Sequence, residues 1–132
     1  MVKVDEKLIN YIWRIKVKFY EYILNEIIFV LGVFMKTAIK ITKFIAGGIE
    51  VLLGIPVLGA SIILGLSWIP LGVMLVFHII NLVLSKNENL PITGSILGIV
   101  GNALGWIPFL GMIMHILTAV FVIIEACKMK VE

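Results

Sequence analysis

Two long apolar runs decide what this chain can fold into. They cover residues 44–84 and 92–126. A bilayer core is spanned by about 20 apolar residues, so each run exceeds a single crossing. Only 14% of the residues are charged, against about 25% in a soluble domain, which leaves too few charges to cover a water-facing surface. The ionisable residues within the runs are Glu50, His78, His115 and Glu125. The sequence therefore predicts an integral membrane protein.

A Trp-Ile-Pro phrase occurs once inside each run and marks where the run could fold back. A fold-back in lipid must satisfy its own backbone groups, which favours two helices joined by a tight turn. Ser67 could cap the helix after the first turn, with Pro70 in its first turn, and Gly105 could be the cap in the second repeat. The residues assigned to the turns are Ser67, Trp68, Pro70, Trp106 and Pro108.

The predicted fold class is an all-α integral membrane protein with a long N-terminal amphipathic in-plane helix followed by two hydrophobic helical hairpins. One membrane domain would cover residues 1–132. Its parts are a basic amphipathic helix at 7–43, a first hairpin at 44–84, a polar loop at 85–91, a second hairpin at 92–127 and a basic tail at 128–132. Pro56 is expected to kink the first hairpin.

The basic residues flank the apolar runs, and the Trp-Ile-Pro turns carry no charge. The positive-inside rule then predicts a multi-pass or hairpin-inserted protein whose charged segments and both termini are cytoplasmic. The N-terminus shows no apolar segment followed by a small-residue cleavage site, so no removable signal peptide is expected.

Residues 7–43 repeat polar side chains at alternating intervals of three and four, which is typical of an amphipathic helix. We expect this helix to lie in the membrane interface, on an anionic leaflet. Two alternatives stay open. The polar stripe could face other copies and line a pore or ring, or residues 22–35 could span the membrane. The residues assigned to the membrane surface are Lys7, Arg14, Lys18, Lys36, Lys40 and Lys43.

Glu50, His78 and His115 form the candidate polar site, because ionisable groups within a membrane are costly to bury and often functional. The two histidines occupy corresponding places after the two Trp-Ile-Pro phrases, which suggests a proton relay. Alternatively, they are neutral rings bonded to Asn81 or to a carbonyl, and Glu50 lies near the interface close to Lys43. No metal site and no cofactor are predicted.

Four glycines recur at intervals of four, three and four and would form one flat helix face. Such faces let helices approach closely in lipid. They are Gly94, Gly98, Gly101 and Gly105, assigned to helix packing.

No catalytic constellation is present in the sequence, and an enzyme is not predicted. We expect a small membrane protein that self-associates or binds a larger membrane partner, scaffolding or shaping the membrane. The alternative is a pore or transport component, either a holin-like oligomer or one that conducts protons or ions. The expected partners are anionic lipid and further copies or a membrane complex, and not nucleic acid.

Overall fold

The computed structural model describes residues 5–131 as helices and turns, with no strand in that range. The helices are α1 (Glu6–Gly54), α2 (Pro56–Gly65), α3 (Ile69–Asn87), α4 (Thr93–Leu104) and α5 (Leu110–Lys128). Of these, α1, α3 and α5 are long and apolar enough to cross a membrane. The predicted all-helical architecture is confirmed for the described residues.

Contacts divide the chain into two compact units, where the sequence suggested one domain. The first unit ends at Phe34, and its described residues form the N-terminal part of α1. Every residue from Asp5 to Leu31 is exposed, including large apolar side chains such as Trp13 and Phe29. Within its described residues, 5–34, this unit has no buried residue.

The second unit, from Met35 onward, is a helical bundle. Its α4 packs against both α3 and α5, and α2 packs against α3. Glycines allow the close approach: a Cβ on Gly94 would lie 2.8 Å from the backbone nitrogen of Val122, and one on Gly47 would meet the side chain of Ile123. The buried apolar residues include Ile39, Ala46, Leu53, Ile63, Leu71, Met74, Ala119 and Val122.

The first helix does not end at residue 43, as the sequence suggested, but continues to Gly54. No proline lies between Lys43 and Gly54, and the pair Gly47 and Gly48 does not interrupt the helix, which goes on until Pro56 begins α2. The expected disruption at Pro56 is therefore a complete break. At the C-terminal end of the first hairpin, α3 continues to Asn87, so the polar loop is shorter than the predicted 85–91.

The two turns differ from the capping scheme expected from the sequence. Ser67 makes no capping hydrogen bond, and the residue before α3 is Trp68 in a left-handed conformation with φ 66°. Pro70 does lie in the first turn of α3. In the second turn, Gly105 ends α4 instead of starting the next helix, and Phe109 precedes α5 with φ 63°.

Three charged parts of the chain meet at one end of the bundle. The Lys40 ammonium donates to the carbonyl of Met129, 3.1 Å away, just after α5. The Lys43 ammonium donates to the carbonyl of Pro91, in the connection between α3 and α4. The Trp-Ile-Pro turns are separated from this end by the lengths of α3 and α5.

Candidate functional site

A buried carboxylate, Glu50, forms the centre of the candidate site in the bundle. His78 Nε2 lies 2.8 Å from its Oε1, and His115 Nδ1 lies 2.5 Å from its Oε2. Asn102 Nδ2 donates to Oε1 over 2.7 Å. Glu50 is completely buried, and its three partners are buried as well. The four side chains come from α1, α3, α4 and α5, so this site joins four helices.

A glycine on α4 makes room for the His78 imidazole. A Cβ on Gly98 would overlap the His78 ring, so this ring packs directly on the helix backbone. A Cβ on Gly54 would lie 2.8 Å from a side-chain carbon of Ile116, so this glycine lets α1 approach α5 next to His115. Asn102 is fixed by a second hydrogen bond, of 2.8 Å, from its Nδ2 to the carbonyl of Gly98. The glycine strip thus serves the site directly, because it brings α4 close enough for Asn102 to reach Glu50.

The geometry determines which ring nitrogens are free. With Glu50 ionised, His78 donates through Nε2–H and His115 through Nδ1–H, since a carboxylate only accepts hydrogen bonds. In neutral rings the other nitrogens, Nδ1 of His78 and Nε2 of His115, are then acceptors. Both are buried without a hydrogen-bond partner in the protein. Each ring can therefore take up a proton at one nitrogen while its other N–H remains on Glu50.

A second buried network, around Lys43, lies two helical turns before Glu50 along α1. The Lys43 ammonium forms an ion pair with Glu125 Oε2 at 2.6 Å and donates to the Pro91 carbonyl at 2.5 Å. The other carboxylate oxygen of Glu125 accepts the backbone N–H of Gly94 over 2.8 Å. Lys43 is completely buried. The assignment of Lys43 to the membrane surface is therefore wrong: an ion pair and a carbonyl replace the water and headgroups expected around it.

Beside this network, Thr42 Oγ1 donates to the side-chain oxygen of Asn81 over 2.7 Å. The amide of Asn81 donates to the Phe77 carbonyl. Asn81 is therefore not the partner of His78, as one sequence interpretation held, and Glu50 is. The helical spacing from His78 to Asn81 was compatible with a contact, but the two side chains bond to different parts of α1.

The other predicted site residues fall into three groups. Of the expected surface residues, Lys7, Arg14 and Lys18 are exposed on the first unit, whereas Lys36 and Lys40 are half-buried. The turn residues Trp68 and Trp106 are exposed. The glycines at 94, 98 and 101 are buried against α3 or α5, and Gly105 is half-buried near Leu71 and His115.

Asn102, beside the glycine strip, and Glu125, an ionisable residue of the second run, were not assigned to the site from the sequence, and the burial of Lys43 was not predicted. One signal was present in the sequence. Lys36, Lys43 and Glu50 are spaced seven residues apart and so continue the polar stripe of α1 along one helix face. In the bundle this face points inward, which brings Lys43 and Glu50 to partners on other helices. In the described part of the chain, no group of three histidine, cysteine or acidic side chains is arranged to hold a metal ion.

The chain matches no protein-family model, no curated protein and no solved structure.

Proposed function

We propose that this protein is a non-enzymatic integral membrane protein that acts by assembly. In this proposal the bundle from Met35 onward is the membrane anchor. The N-terminal part of α1 lies on the membrane surface and associates with further copies or with a membrane partner. The observation that carries the proposal is the complete exposure of residues 5–31 in a helix that is apolar on most of its surface.

Such a helix has more apolar surface than a soluble monomer leaves in water, so lipid or protein must cover it. The whole of α1 has 49 residues and is about 73 Å long at 1.5 Å per residue, far more than the roughly 30 Å of a bilayer core. The bundle uses only its C-terminal part. The remaining length forms an arm outside the bundle, and for this arm to lie along the membrane α1 must bend between the arm and the bundle.

The charges on this arm are mixed. Residues 5–34 contain four basic and four acidic side chains, so net charge alone does not draw the segment to an anionic leaflet. The attraction in this proposal depends on local basic residues of one helix face. Arg14 and Lys18 lie on the polar stripe, whereas Lys16 is on the opposite side of the helix by the 3.6-residue repeat.

The glycine strip, by contrast, gives no support to self-association. Its members contact α3 and α5 of the same chain. The proposal therefore places assembly on the N-terminal part of α1, where every residue from 5 to 31 is exposed.

The meeting of Lys40, the α3–α4 connection and the end of α5 at one end of the bundle supports hairpin insertion. We propose that this end and both termini are cytoplasmic, following the positive-inside rule.

Native mass spectrometry of the full-length protein in detergent tests the assembly, with a defined multimer or a complex with a second protein as the expected result. A strict monomer in detergent and in lipid nanodiscs contradicts it. The placement of the arm is tested in vesicles with a W68F/W106F variant, which leaves Trp13 as the single tryptophan. Lipids brominated near the headgroup should quench its fluorescence. R14E should weaken this quenching in anionic vesicles, and K16E, with the same charge change, should weaken it less.

A second candidate function, proton transfer across the membrane, is favoured by one specific observation. The buried imidazoles of His78 and His115 both hydrogen-bond to the buried Glu50 carboxylate. Each imidazole also has one nitrogen without a hydrogen-bond partner in the protein. Ionisable groups of this kind line proton relays in pumps and transporters. Full-length protein in liposomes that contain a pH-sensitive dye should carry protons faster than empty liposomes, and E50Q should abolish the difference.

A further inference from the structure

Three hydroxyl groups in the bundle are buried without a hydrogen-bond partner in the protein. They belong to Ser85, Ser95 and Thr118, and each of these residues is completely buried. Burying a hydroxyl without a partner is unfavourable, because the group loses its hydrogen bonds to water. Native proteins satisfy such groups, commonly with ordered water that makes about three hydrogen bonds.

Two of these hydroxyls lie between the Lys43–Glu125 pair and Glu50. Ser95 directly follows Gly94, whose N–H donates to Glu125. Ser95 also lies one turn before Gly98, on which the His78 ring packs. Thr118 lies one turn from His115 on α5, towards Glu125, and a Cβ on Gly101 would lie 3.3 Å from its hydroxyl. Both helices thus present a hydroxyl in the interval between the two charged networks.

The distance between the two charged networks suits a short chain of hydrogen bonds. Lys43 and Glu50 are separated by seven residues of one helix, which is about 10 Å. A hydrogen bond between oxygens is about 2.8 Å long, so roughly three intermediate oxygens join the networks. Ser95 and Thr118 supply two such oxygens, and water supplies the rest.

On the other side of Glu50, the unpartnered Nε2 of His115 lies next to Gly105, because a Cβ there would be 3.2 Å from it. His115 and Gly105 both line a cleft of about 510 Å³ at the Trp-Ile-Pro end of the bundle, together with Ser61 and Pro108. Unpartnered polar groups therefore continue from the Lys43 network, past Glu50, to this cleft.

We propose that water molecules held by Ser95 and Thr118 join the Lys43–Glu125 pair to the Glu50–His78–His115 site, forming one proton path from the charged end of the bundle to the cleft beside His115. The proposal rests on proton transfer as the second candidate function and adds its route. Ser85, two turns from His78 towards the charged end of α3, is a further buried hydroxyl without a partner in the protein.

The charged groups along the path come from two helices at one end and three at the centre. Lys43 on α1 faces Glu125 on α5 at the charged end. At the centre, Glu50 on α1 faces His78 on α3 and His115 on α5, while α4 contributes only the uncharged Asn102. A proton that reaches the free nitrogen of either imidazole makes an imidazolium, whose other N–H points at Glu50. The carboxylate stabilises this cation and can accept its proton, which returns that ring to its neutral form. The proton leaves towards the cleft when Glu50 is protonated and His115 is in its Nε2–H tautomer: Nδ1 then accepts the proton from Glu50, and Nε2–H gives one up to water in the cleft.

The test measures proton flux into liposomes that contain the full-length protein and pyranine, with potassium and valinomycin to clamp the membrane potential. The route variant is S95A/T118V, which removes two hydroxyls that make no hydrogen bond within the protein. Its matched control is T93V/S67A, which removes two exposed hydroxyls. Because neither buried hydroxyl has a partner within the protein to lose, the route variant should fold as the wild type does. Thermal unfolding in detergent checks this, and it separates a loss of flux from a loss of folding.

We expect flux in the wild type, a fall of about tenfold or more in S95A/T118V and in E50Q, and wild-type flux in the control. Unchanged flux in S95A/T118V overturns the route while proton transfer itself stands. Flux in the wild type no greater than in empty liposomes overturns both the route and the second candidate function. A further result against the route is wild-type flux in E50Q, since the path passes through that carboxylate.

Discussion

Lys43 on α1 and Glu125 on α5 form a buried ion pair between two helices of the bundle. The ammonium has two acceptors, Glu125 and the Pro91 carbonyl, and the carboxylate also binds the N–H of Gly94. Such a pair is favourable only when the remaining donors and acceptors are satisfied, because both charges have left water. The extra partners meet that requirement here. Removing one member leaves the other as an isolated buried charge.

We therefore expect K43M to destabilise the protein by about 3–5 kcal/mol, the range for breaking a buried pair from one side. K43M/E125Q should recover most of that loss, because the glutamine is uncharged and its oxygen can still accept from Gly94. Thermal or denaturant unfolding of the detergent-solubilised protein measures both values. K40M is the control, since Lys40 is half-buried and its ammonium donates to a carbonyl, that of Met129. A double variant as unstable as K43M would show that the ion pair itself, and not its broken half, stabilises the fold.

The residues of the candidate site were only partly predictable from the sequence. Glu50, His78 and His115 stand out because ionisable side chains are rare in the apolar runs. Their pairing could not be read from spacing, since the contacts join residues 28 and 65 positions apart. Glu50 also lies close to Lys43 in sequence, which favoured an interfacial position for both. The structure removes that ambiguity because the shared face of α1 points into the bundle.

Helix α4 depends on glycine for its place between α3 and α5. It is short, with 12 residues, and a side chain on its buried face would collide with its neighbours. A Cβ on Gly98 would overlap the His78 ring, and one on Gly94 would meet the backbone of Val122. Small residues thus bring the helix backbones together, as in many membrane bundles.

G98A should destabilise the protein by about 1–3 kcal/mol, because the added methyl group must displace the His78 ring that binds Glu50. G72A is the matched control: Gly72 is also inside a helix, but a Cβ there would have no neighbour within 4 Å. Alanine at this position should raise stability by up to about 1 kcal/mol, the difference in helix propensity. Unfolding in the same detergent compares the two variants. Equal effects in both would mean that α4 does not approach α3 as closely as described.

The helices themselves were largely predictable, whereas their boundaries and turns were not. Apolar runs too long for one crossing required a fold-back, and the Trp-Ile-Pro phrases marked both turns correctly. The predicted boundary at residue 43 was wrong because a change from polar to apolar composition does not end a helix. The turn geometry was also missed: Ser67, Trp68 and Phe109 adopt positive φ angles, for which glycine would be the usual residue.

In the molecule as a whole, the charged groups are concentrated at one end of the bundle. Lys40, Lys43, Lys86 and Lys128 belong to that end, and the turns at residues 66–68 and 105–109 carry no charge. A charge at the centre of a bilayer costs on the order of 3 kcal/mol or more, so the charged end should not cross the membrane during insertion. The uncharged turns can cross it.

This asymmetry predicts the result of labelling with a membrane-impermeant maleimide in sealed vesicles of known orientation. Cys127 is the only cysteine and is exposed at the charged end, so the natural protein reports that side directly. In a C127S background, N87C at the end of α3 should react from the same compartment as Cys127. F109C, at an exposed position in the second turn, should react only from the opposite compartment or after the vesicles are opened. Labelling of N87C and Cys127 from different compartments contradicts the hairpin topology, because α4 and α5 would then not return the chain to its starting side.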